Sequence, residues 1–202
     1  MCGINGFNFK NEELISRMNQ LTKHRGPDGT GVFVDEFVSL GHNLLAITEV
    51  PENSQGPHIS WDKNFVISYN GEIYNYKALR DELKNLGENF TTIGDTEVLL
   101  KGLARHGIDF IKKLDGMFAV AFYDKRAGKL YLARDRAGMK RLYYNFENGR
   151  VIFSSEIRSI LTSVEARLNH KAAQAYFVLG YVPGEETMFR GIKRVMPGHF
   201  LT

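Results

Sequence analysis

The stretch that most restricts how this chain can fold is its longest apolar run, Met117 to Tyr123, which follows Asp115-Gly116 and is closed by Asp124 and the turn Lys125-Arg126-Ala127-Gly128-Lys129. It has about a third of the length that a bilayer crossing requires. Its centre, Phe118-Ala119-Val120-Ala121-Phe122, lacks the polar alternation of a half-solvated strand, which predicts a strand covered on both faces. A second β-rich run, Leu130 to Arg134, follows the turn, so the pair predicts a hairpin and antiparallel pairing. Asn148-Gly149 predicts another hairpin, between Arg141–Phe146 and Val151–Ser154. Further strands are predicted over Gly31–Val34, Val38–Ile47 and Phe65–Tyr69.

Leu14, Met18 and Leu21 recur at helical spacing and predict an amphipathic helix from Asn11 to about Lys23, ended by Gly26-Pro27. Asn75 is placed to cap a second helix whose stripe is Leu79, Leu83 and Leu86 and whose stop is Gly87. Asp95 is placed to cap a third, running to His106-Gly107, and a fourth follows Asn169 through Ala172, Ala175, Tyr176 and Leu179 to Gly180. Helices grouped apart from strands that are buried on both sides predict an α+β layered sandwich rather than a doubly wound parallel sheet.

With 202 residues, no internal repeat and no linker rich in Pro, Gly or Ser, the simplest organisation is one domain over residues 1–202. A chain of this length buries about 70% of its unfolded surface, enough for a core without disulfides or metal. Lys and Arg number 26 against 23 Asp and Glu. The resulting charge of +3 is too small and too evenly spread to point to nucleic acid or an anionic membrane. The N-terminus shows no secretory pattern, so the expected compartment is the cytoplasm. One cysteine excludes an internal disulfide, and six histidines without ligand spacing argue against a metal. No cofactor motif is present either: the glycines at 26, 29 and 31 match neither GxxxxGK[ST] nor GxGxxG, which leaves His24 to Gly31 as a structured turn.

Chemistry is concentrated at a few positions. Cys2 follows the initiator Met directly and precedes Gly3-Ile4-Asn5-Gly6. Removal of Met1 would leave a thiol and a free α-amine on one residue, and with ordinary pKa values of about 8.5 and 7.7–8.0 the amine can relay the thiol's proton near neutral pH. A frayed terminus with a chance cysteine is the competing view. Asn70-Gly71, after the strand Phe65–Tyr69, reads either as a hairpin turn or as a pair of donors aimed at a developing oxyanion. Asp95 can cap a helix, bind substrate, or do both.

Taken together, Cys2-Gly3-Ile4, His24-Arg25-Gly26-Pro27-Asp28-Gly29, Asn70-Gly71-Glu72-Ile73-Tyr74-Asn75, Gly94-Asp95-Thr96-Glu97 and Leu114-Asp115-Gly116-Met117-Phe118-Ala119 resemble the class II glutamine amidotransferase domain. Arg134-Asp135-Arg136-Ala137-Gly138-Met139-Lys140, Phe153-Ser154-Ser155-Glu156-Ile157, Gly180-Tyr181-Val182-Pro183 and Pro197-Gly198-His199 narrow the resemblance to the asparagine synthetase branch. It covers essentially the whole chain in order. It implies an N-terminal-nucleophile hydrolase fold, a four-layer αββα sandwich with two antiparallel sheets between helical layers. Carried over, Cys2 attacks the amide carbon of glutamine with its own α-amine as base, and Asn70 and Gly71 stabilise the oxyanion. Asp95 contacts the substrate α-ammonium, and Glu72 lies in the same loop. The resemblance implies no metal and no cofactor. Its partners are glutamine and an ATP-dependent synthetase domain or subunit that receives the ammonia.

Three positions depart from the pattern. The family's H-x-R-L-x-I strand uses its Arg to clamp the glutamine α-carboxylate, and here His42-Asn43-Leu44-Leu45-Ala46-Ile47 puts Leu44 at that place. The usual Gln-Pro is interrupted as Gln55-Gly56-Pro57, and Arg141 stands where K-P-L-Y has Pro. The synthetase domain, with its S-G-G-x-D-S loop, is absent from these residues. The alternative function is a catalytically impaired relic that scaffolds or regulates a synthetase partner. A papain-like hydrolase using a histidine base has little support in the histidine contexts.

Overall fold

The apolar run falls in a nine-residue strand at the centre of a five-stranded sheet. The computed structural model describes residues 1–46 and 56–202. In chain order it contains β1 (Gly3–Phe7), α1 (Glu12–Thr22), β2 (Gly29–Val34), β3 (Ser39–Leu44), β4 (His58–Ile59), β5 (Phe65–Ile73), α2 (Tyr76–Asn85) and α3 (Asp95–His106). There follow β6 (Gly116–Asp124), β7 (Lys129–Arg134), β8 (Tyr143–Glu147), β9 (Arg150–Ser154), α4 (Ile157–Ile160), α5 (His170–Leu179), β10 (Ile192–Arg194) and β11 (Phe200–Leu201). Among the described residues the strands form two sheets, ordered β10-β8-β9-β1-β3-β2 and β11-β7-β6-β5-β4, with every pairing antiparallel.

Three apolar clusters make this a layered α+β sandwich. Ile4 and Leu40 of one sheet meet Val66, Ala119 and Ala121 of the other in the middle layer. Ile67, Val120 and Phe122 face Leu83, Leu99 and Leu103 of α2 and α3 on one outer side. Phe7 and Ile152 face Ile15, Met18 and Ile160 of α1 and α4 on the other. Both faces of β6 are therefore buried, as its lack of polar alternation requires. The predicted hairpins are present as β6–β7 and β8–β9.

Helix termini follow the local chemistry in part. Asn11 and Asn169 accept from the amides of Leu14 and Ala172, satisfying donors that a helix start leaves open. Gly107 and Gly180 end α3 and α5 with φ of 67° and 77°, conformations open to glycine. Asn75 stands before α2, but its side chain bonds the Lys113 carbonyl and the Asp115 amide and so ties α2 to the start of β6. Asp95 is the first residue of α3 rather than its cap, which is Gly94. Its carboxylate is drawn instead to β5.

Two expectations are corrected. Asn70-Gly71 is not a hairpin turn: β5 runs through it to Ile73, paired with β6 throughout. The buried face of α1 is Ile15, Met18, Asn19 and Thr22 rather than the stripe through Leu14 and Leu21. The rotation has a polar cause. Asn5 Nδ2 donates to Asn19 Oδ1 and Thr22 Oγ1 at 2.9 and 2.8 Å, Asn43 Nδ2 donates to Thr22 Oγ1 at 2.9 Å, and Ser154 Oγ donates to Asn5 Oδ1 at 2.7 Å. These groups are buried, and each bond removes a desolvation cost that an unpaired group would carry. The strand end expected at Ile47 and the residue Gln55 lie outside the described residues; β3 is described to Leu44.

Candidate active site

Cys2 immediately precedes β1, which is an interior strand between β9 and β3. Side chains alternate along a strand: Gly3 and Asn5 face α1, and Ile4 faces the middle layer. The same alternation puts Cys2 on the Ile4 side, between the sheets. Its half-buried sulfur accepts from the Leu45 amide at 3.4 Å, and its carbonyl accepts from Arg25 Nε at 3.1 Å. Arg25 is delivered by the single 3-10 turn Lys23–Arg25 after α1. Gly26 then lies against β3, where a Cβ would stand 2.3 Å from the Asn43 carbonyl oxygen.

Asn70 lies on β5 with the parity of Val66 and Ser68, so it too faces the middle layer. It is 2% exposed, and its Nδ2 has no hydrogen-bond partner among the described residues. Gly71 follows, and a Cβ there would stand 2.3 Å from the Met117 carbonyl oxygen. Phe118, the register partner of Gly71, spends its own N–H on Asp135 Oδ2 and its C=O on the Asp135 amide. Gly71 and Phe118 are thus a non-hydrogen-bonded pair, and the Gly71 N–H points out from the opposite edge of β5. On that edge, beyond short β4, the Ile73 N–H meets Asp95 Oδ2 at 2.9 Å.

Asp95 also accepts from the Tyr69 hydroxyl at 2.7 Å. Burial first, then Asp95, with smaller pushes from Glu72 and Cys2, holds the Tyr69 phenol well above its ordinary pKa. Glu72 is exposed. Around the terminus, desolvation holds the Met1 ammonium below its usual value; Cys2 and Asp28 oppose this, and Arg25 and Lys140 reinforce it. Lys140 is 8% exposed and comes from the turn that Asp135 ties by accepting the Met139 and Lys140 amides.

The structure thus puts Asn70 on the same inter-sheet side as Cys2 and ties Asp95 to β5 through Tyr69 and Ile73. Sequence reasoning missed Tyr69, Lys140 and the Leu45 amide. Tyr69 reads as an ordinary strand residue, and an amide carries no side-chain signal. Leu44 is half-buried at the end of β3, one residue before that amide. Two arginines have different settings: Arg25 is bonded to the Cys2 carbonyl, while Arg141 lines a cavity with Arg134 and Arg194.

The histidines are differently employed. His42 is buried and neutral, its pKa pushed by desolvation, with a smaller push from His58, down to about 3. His24 pairs with Glu156 at 2.8 Å, a carboxylate-paired histidine that the sequence did not reveal. That pair connects to Cys2 through Arg25, which also bonds Glu156, at 3.3 Å. Among the described residues no group of three or more His, Cys, Asp or Glu side chains could hold a metal, and no helix is long and apolar enough to cross a membrane.

Comparison with known proteins agrees with this geometry. The chain is 40% identical over 211 residues to asparagine synthetase [glutamine-hydrolyzing] 1 of Bacillus subtilis, covering 100% of the chain and 33% of that protein. It is 36% identical over 173 residues to asparagine synthetase [glutamine-hydrolyzing] 3 of Arabidopsis thaliana, covering 82% of the chain and 29% of that protein. The chain therefore spans about a third of the length of these relatives. The fold is shared with a solved structure titled as the allosteric regulatory enzyme of purine biosynthesis, at a TM-score of 0.73 and 18% identity over 98% of this chain and 46% of that one. It is shared also with the glutamine phosphoribosylpyrophosphate amidotransferase of Bacillus subtilis, at 0.66 and 18%, over 96% of this chain and 49% of that one. The profile of one family, the glutamine amidotransferase domain, matches residues 1–202, and the chain belongs to that family.

Proposed function

We propose that this chain hydrolyses glutamine to glutamate and ammonia, with Cys2 as nucleophile once Met1 is removed. The observation that carries this reading is a pair of donors on β5 that are open among the described residues, the buried Asn70 Nδ2 and the adjacent Gly71 N–H at the strand edge. A buried donor left unpaired costs about 1–3 kcal/mol. It returns that cost when an oxyanion forms in front of it.

The Cys2 thiol gives its proton to the freed α-amine, and the sulfur attacks the amide carbon of glutamine. The bond's electron pair moves to the carbonyl oxygen, which Asn70 and Gly71 hold. Collapse of the tetrahedral species expels ammonia with a proton from the ammonium, and water then cleaves the thioester to glutamate, restoring the thiol. Asp95, fixed by Tyr69 and Ile73, supplies the anion for the substrate α-ammonium, with Glu72 beside it. The ammonia passes to an ATP-dependent synthetase domain or subunit. The relatives support this last step, since the chain matches about a third of proteins named as glutamine-hydrolysing asparagine synthetases.

A second reading, an impaired domain that scaffolds such a partner, is favoured by one observation, Leu44 in place of the carboxylate-binding Arg. A glutaminase assay on protein whose N-terminus has been defined by mass spectrometry separates the two. The expected result is turnover and labelling by an electrophilic glutamine analogue in the processed protein. Both are lost in Cys2→Ala and when an upstream tag blocks removal of Met1. Absence of turnover in processed protein supplied with ample glutamine would favour the scaffold, and full activity in unprocessed protein would move the base to His24.

A further inference from the structure

Two strands from Asn70 in register, with Asn70 opposite Ala119 and Ala119 opposite Arg134, a cavity of about 250 Å³ opens where β7, β8 and β10 end, lined by Arg134, Arg141, Leu142, Tyr143 and Arg194. Three guanidinium groups share it, and among the described residues no carboxylate pairs with any of them. The nearby acids are committed elsewhere. Asp135 accepts the amides of Phe118, Met139 and Lys140, while Glu185 and Glu186 pair with Lys193.

The arginines differ in how far their five N–H donors are used. Arg134 donates to the carbonyls of Lys140, Val195 and Gly138 at 2.7, 2.8 and 2.5 Å, which fixes its plane in the wall. Arg194 spends Nη2 on the Glu186 carbonyl at 2.7 Å, and its Nε is buried with no partner among the described residues. Arg141 is exposed, and among the described residues it has no hydrogen bond. Burial, reinforced by Arg194 and Arg141, holds the Arg134 guanidinium below its ordinary pKa against the pull of Asp135 and Tyr143. Like charges gathered around an orphaned donor are a costly arrangement in an empty site and a favourable one around an anion.

We propose that this cavity binds a phosphate group, held between the anchored Arg134 and Arg194 and closed by the exposed side chain of Arg141. Three guanidinium groups lining one cavity, with N–H donors left over after these bonds, suit a tetrahedral dianion better than a two-oxygen carboxylate. The group could belong to the free ion or to a nucleotide, and both share this chemistry. The site does not depend on glutamine hydrolysis, so it stands or falls separately from the reading above.

The test is titration calorimetry of the whole chain at about 0.15 M salt, with inorganic phosphate in one arm and metal-free ATP in another. Saturable binding at one site is expected, weakened at least tenfold in Arg141→Ala and abolished in Arg141→Glu, with an unchanged far-ultraviolet spectrum showing that both variants fold. Tighter binding of phosphate identifies the free ion, and tighter binding of ATP identifies a nucleotide. Absence of saturable binding in either arm would overturn the proposal, as would undiminished affinity in Arg141→Glu or acetate binding as tightly as phosphate.

Discussion

The hydroxyl of Tyr69 donates to Asp95 Oδ2 at 2.7 Å, and the same oxygen takes the Ile73 amide at 2.9 Å. Two donors thus hold Oδ2, while among the described residues Oδ1 takes only a long bond from the Thr96 hydroxyl at 3.4 Å. Removing the phenol leaves the carboxylate in place but less tightly oriented. Tyr69→Phe is expected to raise the glutamine KM about tenfold, the equivalent of one charge-assisted hydrogen bond at 1.4 kcal/mol, with kcat changed less than about twofold. Steady-state glutaminase kinetics check this, and a fall confined to kcat would place Tyr69 at the reacting carbon instead.

Asn70 separates catalysis from stability. Asn70→Leu removes an oxyanion donor and is expected to lower kcat by about 10²–10³. Because Nδ2 has no partner among the described residues, the same change should leave the urea midpoint equal to or above that of the parent. A large loss of stability would mean that the amide is bonded in solution.

Leu44 tests the missing clamp. A charge-assisted hydrogen bond to a carboxylate contributes about 1.5–3 kcal/mol, so Leu44→Arg should lower the glutamine KM by about ten- to a hundredfold with little change in kcat. Arg25 already touches the Cys2 carbonyl and is the cation best placed to compensate. A parent KM between about 1 μM and 1 mM with no gain from the substitution would assign the carboxylate to it.

His42 sets a pH dependence. Its folded pKa of about 3 lies below the ordinary 6.5, so the unfolded state takes up the proton first as pH falls. Stability tied to the neutral imidazole is fully present above pH 6.5 and is lost at about 1.4 kcal/mol per pH unit down to pH 3. His42→Gln should remove that slope from urea unfolding measured between pH 6 and pH 4, even if it is less stable at every pH. An unchanged slope would assign the acid sensitivity to other groups.

Most elements were legible because their signals are local. The spacing of Leu79 and Leu83, the caps at Asn11 and Asn169 and the glycines at 107 and 180 each act within a few residues. Misreadings arose where a distant group outweighed the local one. Asn70-Gly71 has turn chemistry, yet pairing with Ala119 and Phe118 keeps it extended. Asp95 has cap chemistry, yet Tyr69 and Ile73 claim its carboxylate. Asn19 and Thr22 look like the solvent face of α1 until Asn5 and Asn43 arrive from two strands. The site residues were named through their motifs, but Tyr69 was invisible because its role exists only after α3 has packed against β5.

Chain ends are ordinarily the first part of a protein to fray. Here residue 2 abuts a strand flanked on both sides by partners, with Gly3–Phe7 laddered to β3 and Asn5–Phe7 to β9. Freeing the strand that carries it requires opening two ladders in the interior of a sheet, which is close to opening the whole molecule. The amides of β1 should accordingly exchange with solvent as slowly as those of β6, and on heating the thiol should lose its alignment at the temperature where the fold melts, with no earlier inactive but folded stage.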